Sequence, residues 1–426
     1  MQQLKEVLFM SMLLVRGGRP LAGEIEVYGA KNAVLPILAA SILTTERVVL
    51  HHCPKLLDVE NMVAILRTLG AHVQVEGSQI TIDPQYAHSH EMPEELSKVM
   101  RSSIFMLGAL ISRFKQAWVT HPGGCEIGLR PIDLHLKGLR ELNVFVREEH
   151  GAIHCQGDDV RGASITLDYP SVGATENIMM AAVTAKGTTV IHNAAREPEV
   201  ADLAGFINTM GGKIRGAGTD CIRIQSVESL HGTEYTIMPD RIVAGTYMAA
   251  AAITGGDVTI RNIIPAHQHA VAAKLTEAGC IIDWKQDTVR VRAPKRLREM
   301  NKIDTLPYPG FPTDMQAQMM AVASVASGTC IITENVFENR FKHAGELARM
   351  GANITIKDRI AVVRGVEQLH GAHVEAKDLR GGAALVLAGL AAKDETMVEG
   401  LCYIERGYQD LAAELALLGA SIEKGE

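Results

Sequence analysis

The chain has 426 residues, a length for which two or three domains are the ordinary expectation. Hydrophobic residues make up 47% and charged residues 21%, which is the composition of a folded globular protein and excludes an intrinsically disordered chain. Lys and Arg total 42 against 49 Asp and Glu, and the resulting net charge of −7 argues against an extended nucleic-acid-binding surface.

The amino-terminal region and the cysteines bear on where the protein resides. The apolar run from Val7 to Val15 is too short to span a membrane, and no small-residue cleavage site follows it. The 7 cysteines are an odd number, lie far apart and form no C-x-x-C pair, which is typical of reduced thiols and not of disulfides or zinc ligands. We therefore predict a cytoplasmic protein without a membrane segment or a bound metal.

An internal repeat is the most informative feature of the sequence. A helix-like segment, a turn residue and a strand-like segment recur as LRTLGAHV, LRELNVFV, INTMGGKI, LTEAGCII, LARMGANI and LALLGASI. The turn residues of these copies are Gly70, Asn143, Gly211, Gly279, Gly351 and Gly419. Because glycine and asparagine tolerate the left-handed conformation that closes a helix, the pattern predicts a helix end at each of them.

Each copy also has an upstream half, in which an alanine-rich helix such as AVLPILAASIL precedes a short β-branched strand such as TTVIHN. The complete unit is therefore predicted to run strand, helix, strand, helix, strand, strand. A solenoid needs more and shorter copies, so an α/β fold with two lobes of three units is favoured, with the boundary near residues 238–241. The first strand, Gly23 to Val27, is expected to pair with the far lobe, so that the chain crosses twice between the lobes and leaves a cleft.

Two segments of the first half carry residues suited to chemistry. GAKNA places Lys31 and Asn32 directly before a helix, where the N–H groups and partial positive charge favour a phosphate or carboxylate; the alternative is a surface lysine. HPGGCEIGLRPIDLH places Cys125 among glycines and prolines, which predicts a long loop. A thiol there, beside Arg130, can titrate usefully and meet a substrate; the alternative is an incidental exposed thiol.

The second half adds a carboxylate and several arginines. Asp314 comes directly before a helix, where the alternative is that Thr313 or Asp314 only caps that helix. For each arginine of this half, the alternative to a role in a site is that it forms only a surface ion pair. Taken together, one set of charged residues at turns that lead into helices is predicted to ring a single cleft and attract a polyanion: Lys31, Arg101, Arg130, Arg241, Asp314, Arg340, Arg380 and Arg406.

These residues lie in the motifs GAKNA, GGCEIGLRPIDLH, SVGATENIM, AAREPE, PGFPTDMQAQ, ENRF, DLR and ERGY. With them the chain closely resembles the UDP-N-acetylglucosamine enolpyruvyl transferase family over residues 14–424. The resemblance implies that family's fold, a two-lobed inside-out α/β barrel of six β-α-β-α-β-β repeats, three per lobe. It implies one lobe over residues 28–239, which carries the Cys125 loop, a second lobe over residues 14–27 and 240–426, and an active site in the cleft between them.

The resemblance also implies roles for individual residues. Cys125, Asp314 and Lys31 are the implied catalytic residues, with the Cys125 thiol as proton donor to the vinyl carbon. The implied phosphoenolpyruvate contacts are Lys31, Asn32, Arg130, Arg380 and Arg406. The implied UDP-N-acetylglucosamine contacts are Arg101, Arg130, Pro131, Ile132, Asp133, Leu134, Ser171, Val172, Gly173, Asp314, Val336 and Arg340. Tyr308 and Tyr169 depart from the family pattern, since some members have His and Lys there.

The implied reaction is transfer of the enolpyruvyl group of phosphoenolpyruvate to the 3-hydroxyl of UDP-N-acetylglucosamine by addition and elimination, the first committed step of peptidoglycan synthesis. No cofactor and no metal is implied, since cationic side chains stabilise the phosphate and carboxylate. Fosfomycin is the implied covalent inhibitor, and neither nucleic acid nor a membrane is an implied partner. Two alternatives are a shikimate-pathway enolpyruvyl transferase, against which the Cys125 loop argues, and a catalytically silent UDP-sugar-binding regulator, against which Lys31, Cys125 and Asp314 argue.

Overall fold

The computed structural model describes residues 12–121, 123 and 132–425. They divide into two compact units. The central unit contains the described residues between 29 and 238, and the terminal unit contains residues 12–28 and 239–425. Each unit has its own hydrophobic core.

Short strands of three to five residues form the sheets of both units. In chain order they are β1 Met12–Arg16, β2 Ala22–Glu26, β3 Val48–His51, β4 His72–Glu76, β5 Gln79–Asp83, β6 Gln116–Thr120, β7 Phe145–Glu149, β8 Ala152–Gln156, β9 Ser164–Thr166, β10 Thr188–His192, β11 Lys213–Arg215, β12 Cys221–Gln225, β13 Thr233–Thr236, β14 Asp257–Arg261, β15 Ile281–Trp284, β16 Thr288–Arg292, β17 Lys302–Asp304, β18 Thr329–Thr333, β19 Asn353–Lys357, β20 Ile360–Arg364, β21 His373–Glu375, β22 Glu395–Glu399 and β23 Ser421–Gly425.

The helices pack on these sheets. In chain order they are α1 Lys31–Ala40, α2 Leu57–Thr68, α3 Glu94–Val99, α4 Met106–Phe114, α5 Asp133–Glu141, α6 Val172–Ala182, α7 Pro198–Thr209, α8 Arg241–Thr254, α9 His269–Glu277, α10 Gln316–Val325, α11 Lys342–Arg349, α12 Leu379–Ala391, α13 Leu401–Ile404 and α14 Leu411–Leu417. Single 3₁₀ turns include Arg101–Phe105 and Thr313–Met315. Within the described ranges, no helix is both long and apolar enough to cross a membrane.

The predicted repeat is confirmed by the sheets. In one copy, β9 pairs in parallel with β10 across α6, and β10 then pairs antiparallel with β12 of the hairpin β11–β12. The six sheets have the strand orders β13-β3-β5-β4, β6-β8-β7 and β11-β12-β10-β9 in the central unit, and β15-β16-β14-β2, β17-β18-β20-β19 and β21-β22-β1-β23 in the terminal unit. In the sheet of three strands, an isolated parallel bridge between Glu91 and Trp118 takes the place of the first strand.

Strands from distant parts of the sequence complete three of the sheets. The predicted first strand pairs as expected with a segment far along the chain, because β2 runs parallel to β14. Likewise, β13 runs parallel to β3. Strand β1 was not predicted from the sequence. It pairs antiparallel with both β22 and β23 and buries Leu13 and Val15 completely.

The first helix of a repeat is typically buried around its whole circumference. In α12, all residues from Arg380 to Leu390 are buried, and in α8 all residues from Ile242 to Ile253 are buried. Small residues allow this close packing: a Cβ atom at Gly389 would lie 3.2 Å from the Cβ atoms of Val15 and Thr396. The scarcity of aromatic residues, 4% of the chain, follows from cores built in this way.

The six turn residues predicted from the repeat all have the expected left-handed backbone. Their φ angles are 100° at Gly70, 65° at Asn143, 95° at Gly211, 93° at Gly279, 93° at Gly351 and 91° at Gly419. Each residue ends the second helix of its repeat, so the turn chemistry alone located these helix ends.

We predict opposite effects of two Gly→Ala substitutions in the terminal unit. No heavy atom of a neighbouring group lies within 4 Å of a Cβ added at Gly419 or Gly345, so steric contact contributes to the effect of neither substitution. Gly419→Ala should lower the free energy of unfolding by about 1–2 kcal/mol, because alanine disfavours positive φ. Gly345→Ala, inside α11, should raise it by up to about 1 kcal/mol through helix propensity.

Urea titrations in a Trp118→Phe background would measure both changes, because Trp284 then remains as the fluorophore of the terminal unit. Shifts of the same sign in the two variants would contradict the conformational explanation.

Candidate active site

Lys31 is the first residue of α1 in the central unit, and it is only 8% exposed. Its Nζ atom lies 2.7 Å from Oδ2 of Asp58, a buried residue in the first turn of α2. The alternative of a surface lysine is therefore wrong. The ammonium group adds to the partial positive charge of the helix start, and the Asp58 carboxylate compensates for its burial. Asn32, the next residue, is exposed.

A second part of the central unit brings the starts of α5 and α6 together. Asn177 of α6 is fully buried, and its Nδ2 atom donates to Nδ1 of His135 at 2.9 Å and to the Ile104 carbonyl at 2.8 Å. Its Oδ1 atom accepts the Gly108 amide at 2.6 Å. A Cβ atom at Gly173 would lie 2.9 Å from Cε1 of His135, so only glycine allows this approach.

The segments joined by this contact carry predicted UDP-sugar residues. Asp133 and Leu134 open α5, and Ile132, 8% exposed, precedes it. The Ser171 side chain caps α6 by accepting the Ala174 amide at 3.3 Å, and Val172 and Gly173 follow. Arg101 begins the 3₁₀ turn Arg101–Phe105. Three further predicted residues, Cys125, Arg130 and Pro131, lie outside the described residues.

His135 is held as a neutral imidazole. Burial lowers its pKa to about 3, and the positive charge of Arg101 adds to this shift. Since Nδ1 accepts a hydrogen bond from Asn177, the proton of the neutral ring is on Nε2. The histidine therefore serves as a packing and hydrogen-bonding element between α5 and α6 and does not supply a charge near neutral pH.

In the terminal unit, Asp314 connects two arginines. It lies inside the 3₁₀ turn Thr313–Met315, and its Oδ1 atom is 2.7 Å from Nη2 of Arg340, while Oδ2 is 3.2 Å from Nη2 of Arg380. The side chains of both arginines are only 4% exposed. The N-cap alternative for Asp314 and the surface-ion-pair alternative for these two arginines are therefore wrong.

This cluster keeps a surplus of hydrogen-bond donors. Within the described part of the chain, neither Nε of Arg340 nor Nη1 of Arg380 has a hydrogen-bond partner, although both atoms are buried. Buried N–H groups are nearly always bonded in proteins, so these donors are suited to an anionic ligand. Burial lowers the pKa of Arg380, but Tyr408, Asp314 and Asp240 outweigh it, so the pKa lies above its ordinary value and the charge is permanent.

The remaining predicted residues of the terminal unit are less deeply placed. Arg406 and Val336 are half-buried. Arg241 is the first residue of α8, and its guanidinium lies 5.8 Å from the ring centre of Tyr308, the position that departs from the family pattern. Tyr169, the other departure, is exposed.

Several residues that support the site were not found from the sequence. Asp58 follows no recognisable motif, and only a search for carboxylates at other helix starts would have suggested it. Tyr408 is fully buried, and its ring centre lies 5.6 Å from the Arg380 guanidinium; its position two residues after Arg406 was the available signal. No group of three or more His, Cys, Asp or Glu residues in the described part of the chain is arranged to hold a metal ion.

Comparison with known proteins gives consistent results. The family model described as EPSP synthase (3-phosphoshikimate 1-carboxyvinyltransferase) matches residues 15–415. UDP-N-acetylglucosamine 1-carboxyvinyltransferase 2 of Caldanaerobacter subterraneus subsp. tengcongensis is 52% identical over 413 residues, covering 97% of this chain and 99% of that protein. UDP-N-acetylglucosamine 1-carboxyvinyltransferase 1 of Carboxydothermus hydrogenoformans is 51% identical, covering 97% and 98%.

Solved structures show the same fold. The enolpyruvyl transferase NikO from Streptomyces tendae superposes with a TM-score of 0.87 at 26% identity, covering 97% of this chain and 98% of that chain. EPSP synthase from Acinetobacter baumannii superposes with a TM-score of 0.76 at 18% identity, covering 98% and 100%, and shows the fold alone. The predicted enolpyruvyl transferase fold is confirmed by these matches.

We predict that His135 makes the central unit sensitive to acid. Its pKa is about 3 in the folded state and about 6.5 when unfolded, so between these values the unfolded chain binds the extra proton and stability falls as the pH is lowered. His135→Gln should remove this pH dependence of the free energy of unfolding. A difference of one bound proton between the two states changes that free energy by at most about 1.4 kcal/mol per pH unit.

Urea titrations from pH 4 to 8 in a Trp284→Phe background would follow the central unit through Trp118. The difference in stability between parent and variant should be constant above pH 7 and should change steadily below pH 6.5. A difference that is constant over the whole range would exclude His135 as the titrating group.

Proposed function

Since the chain belongs to the EPSP synthase family and, within it, to the UDP-N-acetylglucosamine 1-carboxyvinyltransferases, we propose that it transfers the enolpyruvyl group of phosphoenolpyruvate to the 3-hydroxyl of UDP-N-acetylglucosamine and releases phosphate. The observation that carries this proposal is identity of about half the residues over nearly the full length of relatives with that name. The reaction is the first committed step of peptidoglycan synthesis, and through the cell wall it serves cell shape and division.

Phosphoenolpyruvate is bound by cations. Lys31 and Asn32 meet its phosphate at the start of α1, where helix dipole and ammonium act together. Arg130, Arg380 and Arg406 hold its other charges, because guanidinium groups bind carboxylates and phosphates with paired hydrogen bonds. The unpartnered Nη1 of Arg380 supports this assignment.

UDP-N-acetylglucosamine is bound by two sets of residues. Arg101, Ser171, Val172, Gly173 and the segment Arg130, Pro131, Ile132, Asp133 and Leu134 contact the nucleotide and diphosphate. The contact of His135 and Asn177 supports this, because it fixes the starts of α5 and α6, and helix starts bind phosphate groups. Asp314, Val336 and Arg340 contact the sugar.

The reaction proceeds by addition and elimination. The sugar 3-hydroxyl forms a bond to C2 of phosphoenolpyruvate and gives its proton to Asp314, while the Cys125 thiol protonates C3. The tetrahedral adduct then returns a proton from C3 to the Cys125 thiolate as the C2–O bond to phosphate breaks. Lys31 stabilises the departing phosphate, which takes up through water the proton that Asp314 had accepted. Asp314 is suited to the role of base because Arg340 and Arg380 hold both of its oxygens in fixed positions.

The protein acts in the cytoplasm as an enzyme of small molecules, without cofactor, nucleic acid or membrane partner. The cysteines support a reducing compartment, because the six described ones are free. Fosfomycin, an epoxide phosphonate, inhibits the enzyme by alkylating Cys125.

We predict phosphate release from phosphoenolpyruvate when UDP-N-acetylglucosamine is the acceptor, and none above background with shikimate 3-phosphate. Asp314→Asn is the matched control, because it keeps the shape of the side chain and should lower kcat by about two orders of magnitude, the scale of a lost general base. Undiminished release in this variant would indicate a contaminating phosphatase, and faster release with shikimate 3-phosphate would overturn the acceptor assignment.

We further predict that fosfomycin adds one molecule to Cys125. Four other cysteines are poor nucleophiles, because burial raises the pKa of Cys53, Cys155, Cys280 and Cys330 to about 12. Cys221 is exposed and is the thiol that an unselective reagent would label. Intact-mass and peptide analysis of the inhibited protein should therefore find the adduct in wild type and Cys221→Ser, and no adduct in Cys125→Asp, which should keep some activity. Labelling of Cys221 would contradict a site-directed reaction.

A further inference from the structure

Glu334 occupies the carboxyl end of two parallel strands in the terminal unit. It follows β18 directly and is fully buried, and β17 runs parallel to β18, so Thr305 follows its own strand at the same edge. Neither the family motifs quoted above nor the proposed mechanism uses Glu334. A fully buried carboxyl group next to the site needs a physical explanation, because its burial is costly unless hydrogen bonds offset it.

Four donors converge on this carboxyl group. Oε1 accepts the Thr305 hydroxyl at 2.8 Å and the amides of Val336 and Phe337 at 2.9 and 3.1 Å, while Oε2 accepts the Thr313 hydroxyl at 2.8 Å. The two amides can only donate, and each threonine hydroxyl already accepts an N–H, Thr305 that of the Asn335 amide and Thr313 that of Arg340, so all four groups donate to the carboxyl group. The side chain is therefore fixed in one position by partners on both of its oxygens.

Thr313 links this carboxylate to the candidate site. Its hydroxyl donates to Glu334 and accepts from Nη1 of Arg340 at 2.9 Å, and Nη2 of the same guanidinium binds Asp314 at 2.7 Å. A hydroxyl has one proton, so giving it to Glu334 turns the oxygen lone pairs toward Arg340. The carboxylate also folds the chain at Val336 and Phe337, which leads to Arg340.

We propose that Glu334 is a positioning residue, which acts through Thr313 to orient Arg340 and thereby Asp314, without touching a substrate. This inference rests on the proposed function of Asp314 and Arg340. The part of the site that contacts the sugar then depends on a carboxylate that the ligands do not reach.

Glu334→Gln tests the link with little change in shape. Three donors converge on Oε1, so the amide oxygen is expected on that side and the amide nitrogen toward Thr313. The nitrogen cannot accept the hydroxyl proton, so Thr313 loses its fixed direction. We expect kcat/KM for UDP-N-acetylglucosamine to fall by at least about tenfold, because small displacements of a catalytic constellation cost one or two orders of magnitude.

Two threonine variants separate positioning from stability. Thr313→Val removes the linking hydroxyl and should lower kcat/KM as much as Glu334→Gln. Thr305→Val is the matched control, because each threonine hydroxyl donates to Glu334 and accepts one N–H, that of the Asn335 amide at Thr305 and that of Arg340 at Thr313, and because Oε1 keeps the amides of Val336 and Phe337. It should lower the melting temperature about as much as Thr313→Val but leave kcat/KM within about threefold of wild type. Equal losses of activity in the two threonine variants would overturn the proposal.

The double variant Glu334→Gln/Thr313→Val tests whether the two residues act in one chain. If Glu334 acts through Thr313, the loss in kcat/KM of the double variant should not exceed that of the larger single variant. Losses that multiply would mean that Glu334 acts independently of Thr313 and would overturn the inference.

Crystal structures of wild type and Glu334→Gln provide a test that does not depend on turnover. The contact of 2.7 Å between Arg340 and Asp314 should lengthen beyond about 4 Å in the variant, the limit of an ion pair. An unchanged contact overturns the inference even in an active enzyme. Absence of phosphate release by the wild type would instead contradict the proposed function. The comparison of the two crystal structures would still decide the role of Glu334.

Discussion

The pairing of buried charges is the constraint on which the candidate site depends. Arg340 and Arg380 are almost entirely removed from water, and a buried guanidinium is tolerated only next to a counter-charge and hydrogen-bond acceptors. Asp314 supplies one carboxylate to both, and Glu334 reaches Arg340 through the Thr313 hydroxyl. In the central unit, Lys31 and Asp58 form a pair of one charge each. Lys31, Arg340 and Arg380 are therefore each held beside a carboxylate.

The packing of the first helices determines where functional side chains are found. Because α8 and α12 are buried on all sides, their middle turns consist mainly of apolar residues, many of them Ala and Gly, and none of the predicted site residues lies there. Only the helix ends reach the edge of the core, where their N–H groups and dipoles also favour anions. Lys31, Arg241 and Arg380 each lie within the first two residues of such a helix. The repeat thus presents a similar position several times, and the sequence fills it with different charged side chains.

Local patterns were sufficient to predict much of the fold. The helix ends at Gly70 and its five counterparts are confirmed, and so is the pairing of the strand at Gly23 to Val27 with a segment far along the chain. The strand β1 was missed because its pairing with β22 and β23 joins opposite ends of the chain and leaves no periodic signal within five residues. The first strand of the second repeat is reduced to one bridge at Glu91, a loss that no local pattern indicated. Residues such as Lys31 and Asp314 were found by their charge and motif, whereas Asp58, the partner of Lys31, and Glu334, which reaches Arg340 through Thr313, depend on tertiary contacts.

The tripeptide Thr-Glu-Asn shows why local sequence does not determine the state of a buried carboxyl group. It occurs at residues 175–177 and again at residues 333–335. Glu176 lies inside α6, where the surrounding amides are already bonded within the helix, and neither of its oxygens has a hydrogen-bond partner in the described part of the chain. Burial, together with Glu199 and Glu197, raises its pKa well above the ordinary value.

Glu334 stands at the end of a strand, where the chain turns and the amides of Val336 and Phe337 are available to its carboxylate. The same three residues therefore leave the carboxyl group without a hydrogen-bond partner among the described residues in a helix, and give it four donors in a turn. The difference comes from whether the backbone donors nearby are already used, which is a property of the secondary structure and not of the tripeptide. For this reason the hydrogen-bonded member of the pair, Glu334, is the one able to fix hydroxyl and guanidinium groups beside the candidate site.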